Sequence, residues 1–120
     1  MKTRGAKARG ARGRLRRELQ EFFANRINSH HGMEIRIVDD LILLRCKEAI
    51  SPSESNLSAM KSGRLLLQEV SERICRELKP DLDRVLYRIT GLHLLDICVG
   101  LFIERREKVY LFTMSDTVGR

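Results

Sequence analysis

The sequence predicts an α+β fold with two layers, in which a four-stranded sheet carries helices on one face. The spacing of apolar residues changes between the helical and the strand period, and it gives the element order α-β-β-α-α-β-β. The chain has 120 residues, of which 42% are hydrophobic. That length is typical of one domain, and that composition supplies one core.

The first helix is predicted to begin near Arg14. Its apolar residues recur at helical spacing and form one face: Leu15, Leu19, Phe22, Phe23 and Ile27. We expect this helix to end before Gly32, because glycine favours a helix stop.

A β-hairpin is predicted next. Met33, Ile35 and Ile37 alternate with polar residues, which is the pattern of a half-buried strand. Asp39-Asp40 forms a tight turn, and the residues from Leu41 to Cys46 return as a more buried strand.

Two helices are predicted in the middle of the chain. Ser51-Pro52-Ser53-Glu54 has the pattern of a capping box with proline at the first helical position. Gly63 interrupts the helical pattern that follows, so either the helix breaks there or another backbone approaches closely. Lys79-Pro80 is predicted to end this helix and to start another, which Gly91 terminates.

A second hairpin is predicted at the end of the chain. In residues 92–103 one face is predicted to carry Leu95, Ile97, Val99, Leu101 and Ile103, while Asp96, Cys98 and Gly100 lie on the other. Residues 104–107 form a charged turn, and the last strand runs from Lys108 to Met114.

Charge divides the chain into an arm and a body. The first seventeen residues contain eight basic residues and no acidic one, whereas the remainder contains 15 basic and 16 acidic residues. The predicted boundaries are a disordered basic arm at 1–13, a single α+β domain at 14–116 and a tail at 117–120.

The eight basic residues among the first seventeen are candidate contacts for a polyanion: Lys2, Arg4, Lys7, Arg9, Arg12, Arg14, Arg16 and Arg17. Interleaved with glycine and alanine, these charges would neutralise the phosphates of a nucleic acid in a salt-dependent manner. An anionic membrane surface or an acidic partner is an alternative, as is a solubilising tail without a specific role.

The sequence predicts no catalytic, cofactor-binding or metal-binding residue. His30-His31 and His93 lack the spacing of a metal site, and Asp39-Asp40 lies in a turn where carboxylates are solvated. His93 and Asp96 are the candidate pocket residues, because Asp96 interrupts a very apolar strand.

Compartment and membrane association can also be predicted. Cys46, Cys75 and Cys98 are expected to be reduced, buried thiols of a cytoplasmic protein. The longest apolar run, from Ile97 to Ile103, has seven residues, whereas a transmembrane helix needs ~20. No transmembrane segment is therefore predicted.

Several short segments together resemble a known family. They are Asp40 to Leu44, Ile50 to Glu54, Gly63-Arg64, Leu78 to Leu82, Ile89 to Leu92, and Val109 to Met114. Over residues 14–116 the chain resembles the MpsC-like family of small bacterial proteins, a domain of unknown function. The family is named after a sodium-translocating, membrane-potential-generating system. Where that family has a Gly-Lys-Gly-Pro-like turn, this chain has Ser29-His30-His31-Gly32, and the resemblance supplies no catalytic residues.

The resemblance implies an accessory role near a membrane ion- or solute-transport system. We therefore expect a small, non-enzymatic, cytoplasmic module that works through protein contacts. It is expected to be a homo-oligomer, a dimer or larger, because a one-layer sheet leaves a face or an edge exposed. One alternative is nucleic-acid binding through the arm, and another is an enzyme with a pocket around His93 and Asp96.

Overall fold

The computed structural model describes residues 2–27 and 32–118, with side chains at 12–25 and 32–118. The elements are α1 (Lys2–Ile27), β1 (Met33–Val38), β2 (Leu41–Cys46), α2 (Pro52–Leu57), α3 (Lys61–Thr90), β3 (Leu94–Phe102), a 3-10 turn (Ile103–Arg105) and β4 (Glu107–Met114). This α+β architecture confirms the predicted order of helices and strands.

The four strands form one antiparallel sheet in the order β1-β2-β4-β3. The two hairpins therefore meet through β2 and β4, where Leu43 is the partner of Leu111. β1 and β3 are the edge strands. In β3 the register shifts between Leu94 and Asp96, which places a bulge at Leu95.

Helices α1 and α3 pack on one face of the sheet, as predicted. Leu15, Leu19 and Phe23 of α1 have 0% exposure, as do Leu82 and Leu86 of α3. The fit between the helical layer and the sheet is close, because the ring centroid of Phe23 lies 5.0 Å from that of Tyr110 on β4. Apolar side chains from both layers thus form one continuous core.

The other side of the sheet is called the open face here. Successive side chains of a strand point to opposite sides, so the open face carries the residues that alternate with the core positions. They are Glu34, Arg36, Val38, Leu41, Leu43, Arg45, Asp96, Cys98, Gly100, Phe102, Glu107, Val109, Leu111 and Thr113.

The C-terminal segment fastens the turn of the first hairpin. Asp39 adopts a positive φ of 55°, which fits the predicted tight turn. Its carbonyl accepts a hydrogen bond from the Val118 N–H at 2.8 Å, and the Asp40 carbonyl accepts one from the Met114 N–H at 2.8 Å. Val118 is 3% exposed, so packed residues extend beyond the predicted domain end at 116.

The helix start at Ser51 is confirmed as a capping box. The Glu54 N–H donates to the Ser51 hydroxyl at 3.1 Å, and the Ser51 N–H donates to the Glu54 carboxylate at 2.9 Å. The short helix α2 ends at Leu57, and three residues separate it from α3.

Gly63 marks a close approach of two backbones. A Cβ atom at this position would lie 1.8 Å from the carbonyl oxygen of Leu57. Glycine is required because any side chain would collide with the end of α2. Of the two explanations that the sequence left open, close approach is the one found, since α3 already begins at Lys61.

The prediction that Pro80 ends a helix is wrong. Pro80 lies inside α3, which continues to Thr90 and ends at Gly91 with φ of 75°. Cys75 and Leu82, on either side of the proline, are 2% and 0% exposed. Their burial against the sheet holds the helix together despite the ~3 kcal/mol that proline costs in a helix interior.

Helix α1 begins at Lys2, earlier than the start near Arg14 that the apolar pattern indicates. The pattern marks only the part of a helix that faces a core, and Leu15 is the first such residue. Alanine and arginine, which are frequent before Leu15, both favour a helical backbone.

Candidate functional site

A cleft of about 580 Å³ lies at the end of the molecule where α2 meets the β3–β4 connection. We call it the α2–β3 cleft. It is lined by Ser58, Arg64, Phe102, Ile103, Glu104 and Arg105. Its volume falls within the range of ligand-binding pockets in proteins.

The first wall of the cleft is the segment that joins α2 to α3. Ser58 is 3% exposed, and its hydroxyl donates to the Ser55 carbonyl at 2.6 Å. The Ser58 carbonyl in turn accepts a hydrogen bond from the Arg64 guanidinium at 3.4 Å. The close packing at Gly63 thus places the Arg64 side chain beside the cleft.

The second wall is the β3–β4 connection, and Arg106 holds it in place. Arg106 has a positive φ of 56°, and its carbonyl accepts hydrogen bonds from the N–H groups of Ala49 at 2.9 Å and Ile50 at 3.3 Å. Its guanidinium donates to the Ile50 carbonyl at 2.9 Å. These contacts tie the connection to the loop before α2, so both walls are anchored to the same loop.

Arg105 supplies the second guanidinium group of the cleft. Its guanidinium carbon lies 5.0 Å from the ring centroid of Phe102, in the geometry of a cation–π contact. Its Nε atom lies 3.6 Å from the Glu107 carboxylate. Hydrogen bonds from Arg45 hold the pKa of the Glu107 carboxyl below its usual value, although burial opposes this effect.

Phe102 and Ile103 are the apolar side chains that line the cleft, and two exposed apolar residues lie close to Ser58 in the chain. Phe102 is 42% exposed, and Leu57 and Met60, which flank Ser58 in the chain, are 44% and 68% exposed. Two guanidinium groups, one acidic side chain and an apolar rim can hold a carboxylate that is attached to an apolar group.

The two pocket residues predicted from the sequence do not line this cleft. The ring of His93 stacks on Tyr87 with centroids 4.4 Å apart, and its Nδ1 atom lies 3.4 Å from the Asp83 carboxylate. The same carboxylate accepts the Leu94 N–H at 2.7 Å, so this group fastens the start of β3. Asp96 is exposed on the open face, and its carboxylate accepts the Ile97 N–H at 2.9 Å.

Sequence reasoning missed Arg64, Phe102 and Arg105 as site residues. The available signals were the helix-interrupting Gly63 beside Arg64 and the charged turn that contains Arg105. Neither signal shows that the two segments come together.

The prediction of three buried thiols is wrong for Cys98. Cys46 and Cys75 are buried, whereas Cys98 is exposed on the open face. Burial raises the pKa of the Cys75 thiol to about 11, so that thiol is protonated at neutral pH. An apolar sequence around a cysteine does not show which side of a sheet the thiol occupies.

The described residues can also be examined for metal-binding groups and for helices that could span a membrane. Residues 2–27 and 32–118 contain no group of three or more His, Cys, Asp and Glu residues that could hold a metal ion. His30 and His31 lie outside the described residues. Within the same two ranges, no helix combines the length and the apolar character needed to cross a membrane.

The basic residues among the first seventeen whose side chains are described face the solvent. Arg12, Arg14, Arg16 and Arg17 are exposed, and the Arg14 guanidinium lies 3.2 Å from the Glu18 carboxylate. A hydrogen bond from Arg88 and the neighbouring arginine charges hold the pKa of Glu18 below its usual value. Glu18 therefore links α1 to the C-terminal end of α3.

Comparison with known proteins identifies the family. No curated protein and no solved structure matches the chain significantly. A family model described as "Na+-translocating membrane potential-generating system (MpsC)" matches residues 12–116, which is nearly the whole chain and excludes most of the basic arm. The chain therefore belongs to the MpsC family.

Proposed function

We propose that this protein is a non-enzymatic accessory subunit of a sodium-translocating, membrane-potential-generating system. We further propose that it binds a segment of a partner protein in the α2–β3 cleft. Membership of the MpsC family supports the role in the system. The cleft supports the binding activity, because it brings two guanidinium groups together with exposed apolar side chains.

The chemistry of the cleft favours a peptide with alternating acidic and apolar residues. A guanidinium group has five N–H donors, and the described contacts of Arg64 use one of its groups on the Ser58 carbonyl. The remaining donors can bind a carboxylate from the partner. Phe102, Leu57 and Met60 would cover the apolar side chains beside that carboxylate.

We place the protein on the cytoplasmic side of the membrane. No disulfide joins Cys46, Cys75 or Cys98, all of which lie in the described residues, and cysteines without disulfides are usual in a reducing compartment.

The test is a titration followed by two-dimensional NMR of the full chain. The probe is an acetylated peptide of alternating leucine and glutamate, and the control peptide has glutamine in place of glutamate. We expect resonances of Arg64, Phe102 and Arg105 to shift with the acidic peptide only. Shifts that are equal with both peptides, or that lie elsewhere, would overturn the proposal.

Matched variants sharpen this test. Arg64→Glu combined with Arg105→Glu should weaken binding of the acidic peptide at least tenfold, which corresponds to about 1.4 kcal/mol. Arg76→Glu is the control, because Arg76 is an exposed arginine of α3 that does not line the cleft. Binding that is lost equally in the control would show a general charge effect and would contradict a cleft site.

A second candidate function is polyanion binding by the basic arm, with nucleic acid as the partner. We treat residues 1–13 as a functional unit apart from the body at 14–116. Because α1 begins at Lys2, the eight basic residues up to Arg17 fall within a helix segment of roughly 24 Å. Such a density of charge favours the phosphates of a nucleic acid.

Binding of a labelled DNA duplex tests this second function. We expect affinity to fall steeply with salt and to vanish when residues 1–13 are deleted. Equal binding by the truncated protein would reject a role for the arm. Binding to phosphatidylserine vesicles without binding to DNA would instead indicate a membrane surface and would also overturn the nucleic-acid proposal.

A further inference from the structure

The open face carries an apolar patch at its centre. Leu43 on β2 and Leu111 on β4 are direct partners in the sheet, and Leu41 and Val109 lie beside them on the same two strands. All four side chains are half-buried, although α1 and α3 pack on the opposite face. An apolar centre on the uncovered side of a sheet is typical of a surface that a second layer covers.

Charged residues lie on the edge strands around this patch. Arg36 on β1 lies beside Leu43, and Asp96 on β3 lies beside Thr113. The strand order separates β1 from β3 by three strand spacings, roughly 14 Å. An apolar centre with a charged rim is the usual arrangement of a protein–protein interface.

Arg36 and Asp96 are the unmatched charges of this rim. Both side chains are exposed, and neither takes part in an ion pair within the described residues. The other open-face charges differ, because Arg45 contacts Glu107 at 3.0 Å and Glu34 at 3.7 Å. The open face therefore presents a cation at one edge and an anion at the other, each available to a partner.

We propose that two copies of this chain pack open face against open face, about a two-fold axis parallel to the strands. Such an axis places β1 of one copy over β3 of the other, and β2 over β4. Leu43 then packs on the partner's Leu111, and Arg36 pairs with the partner's Asp96. The symmetry repeats each contact, so the dimer contains two such ion pairs.

The register allows this pairing. Side chains that are partners across neighbouring strands form a row on the open face. Asp96 is in the row of Thr113, and Arg36 is in the row of Leu43. The two rows are adjacent and lie about 7 Å apart along the strands. The long arginine side chain spans such an offset. An axis perpendicular to the strands would instead place β1 over the partner's β1. With Leu43 and Leu111 still at the centre, it would bring the two Arg36 guanidinium groups towards each other, which is unfavourable.

The size of the face indicates how strong the dimer should be. Four strands of about six residues cover a flat area of roughly 400 Å² per copy, and side-chain relief adds to it. Two such faces bury about 800 Å² in total, which is below the range of stable interfaces and typical of weak ones, so we expect a dimer that dissociates on dilution.

Sedimentation velocity on the full chain, from low micromolar to submillimolar concentrations, tests the interface. We expect a monomer–dimer equilibrium for the native sequence and monomers for Leu43→Glu. Arg36→Asp and Asp96→Arg should each weaken the dimer about tenfold or more, and the double variant R36D/D96R should restore it. Circular dichroism confirms that each variant is folded, and a monomer at every concentration in the native protein would overturn the proposal.

Crosslinking tests the direction of the axis. In Arg36→Cys, a short bismaleimide should join the introduced thiol to the partner's Cys98 and give a covalent dimer, whereas the same variant with Cys98→Ser should not. The buried Cys46 and Cys75 serve as internal controls. A crosslinked dimer of the native sequence through Cys98 alone would contradict the proposed packing, as would a dimer that neither Arg36→Asp nor Asp96→Arg weakens when each is introduced singly. Neither result depends on the α2–β3 cleft.

Discussion

Arg45 on β2 holds Glu107 on β4 with two hydrogen bonds of 3.0 Å, one from its Nε atom and one from its Nη2 atom. Glu107 begins β4 directly after the connection that forms one wall of the cleft. The pair therefore fixes the point where the sheet meets the candidate site. Its two-pronged geometry is the strongest arrangement for an arginine and a carboxylate.

Glu107→Gln should make stability less dependent on pH. Hydrogen bonds from Arg45 lower the pKa of Glu107 below 4.5 in the folded state, so the unfolded state takes up its proton first as the pH falls. The carboxylate therefore contributes stability above pH 4.5, and this contribution is lost as the pH falls through the lowered pKa. Thermal unfolding at pH 7 and at pH 3 measures the effect.

The variant should unfold at a lower temperature than the native protein at pH 7, and the difference should shrink at pH 3. Glu104→Gln is the control, because Glu104 lies in the same connection but is exposed. An equal loss of stability at both pH values would show that the ion pair is not its source.

Gly63→Ala should destabilise the protein, whereas Gly13→Ala should not. The new Cβ atom at position 63 would collide with the Leu57 carbonyl oxygen, and relief of that collision requires backbone movement. We expect a loss of about 1–3 kcal/mol in the free energy of unfolding. Gly13 has nothing within 4 Å of the added atom and lies inside α1, so alanine there should add up to about 1 kcal/mol.

Chemical denaturation of both variants measures the two effects. Gly63→Ala with native stability would mean that α2 and α3 can separate without cost, and the cleft would then lack a fixed first wall.

Ser51→Ala should remove the cap of α2 and lower the free energy of unfolding by about 1 kcal/mol. The Ser51 hydroxyl accepts the Glu54 N–H, and alanine leaves that donor without its partner. Ser53→Ala is the matched control, since Ser53 is an exposed serine in the same turn. Urea unfolding of the two variants should separate them, and equal stabilities would argue against the cap.

Local patterns predicted most of the fold. The two hairpins follow from alternation over a few residues, and the capping box at Ser51 follows from four adjacent residues. The placement of Asp96, Cys98 and Gly100 on the open face also follows from alternation alone. Each of these features depends on neighbours in the chain, which the sequence displays directly.

Features that depend on distant residues were not predicted. Arg45 and Glu107 are separated by 62 positions, and they meet only because β2 lies beside β4. Arg64 and Arg105 share a cleft for a similar reason. The helix through Pro80 persists because residues on both sides of it are buried against the sheet, and no local propensity shows that burial.

Cys98 should be the fast-reacting thiol of the folded protein. Burial raises the pKa of Cys75 to about 11, so only about 0.1% of that thiol is ionised at pH 8. Cys46 is buried as well, whereas Cys98 is exposed. With a chromogenic disulfide reagent at pH 8, one of the three thiols should react in a fast phase, and Cys98→Ser should abolish that phase.

If two copies cover each other's open face, the fast phase should also slow as protein concentration rises. A fast phase that persists in Cys98→Ser would show that Cys46 or Cys75 becomes accessible in solution, against the packing of the core.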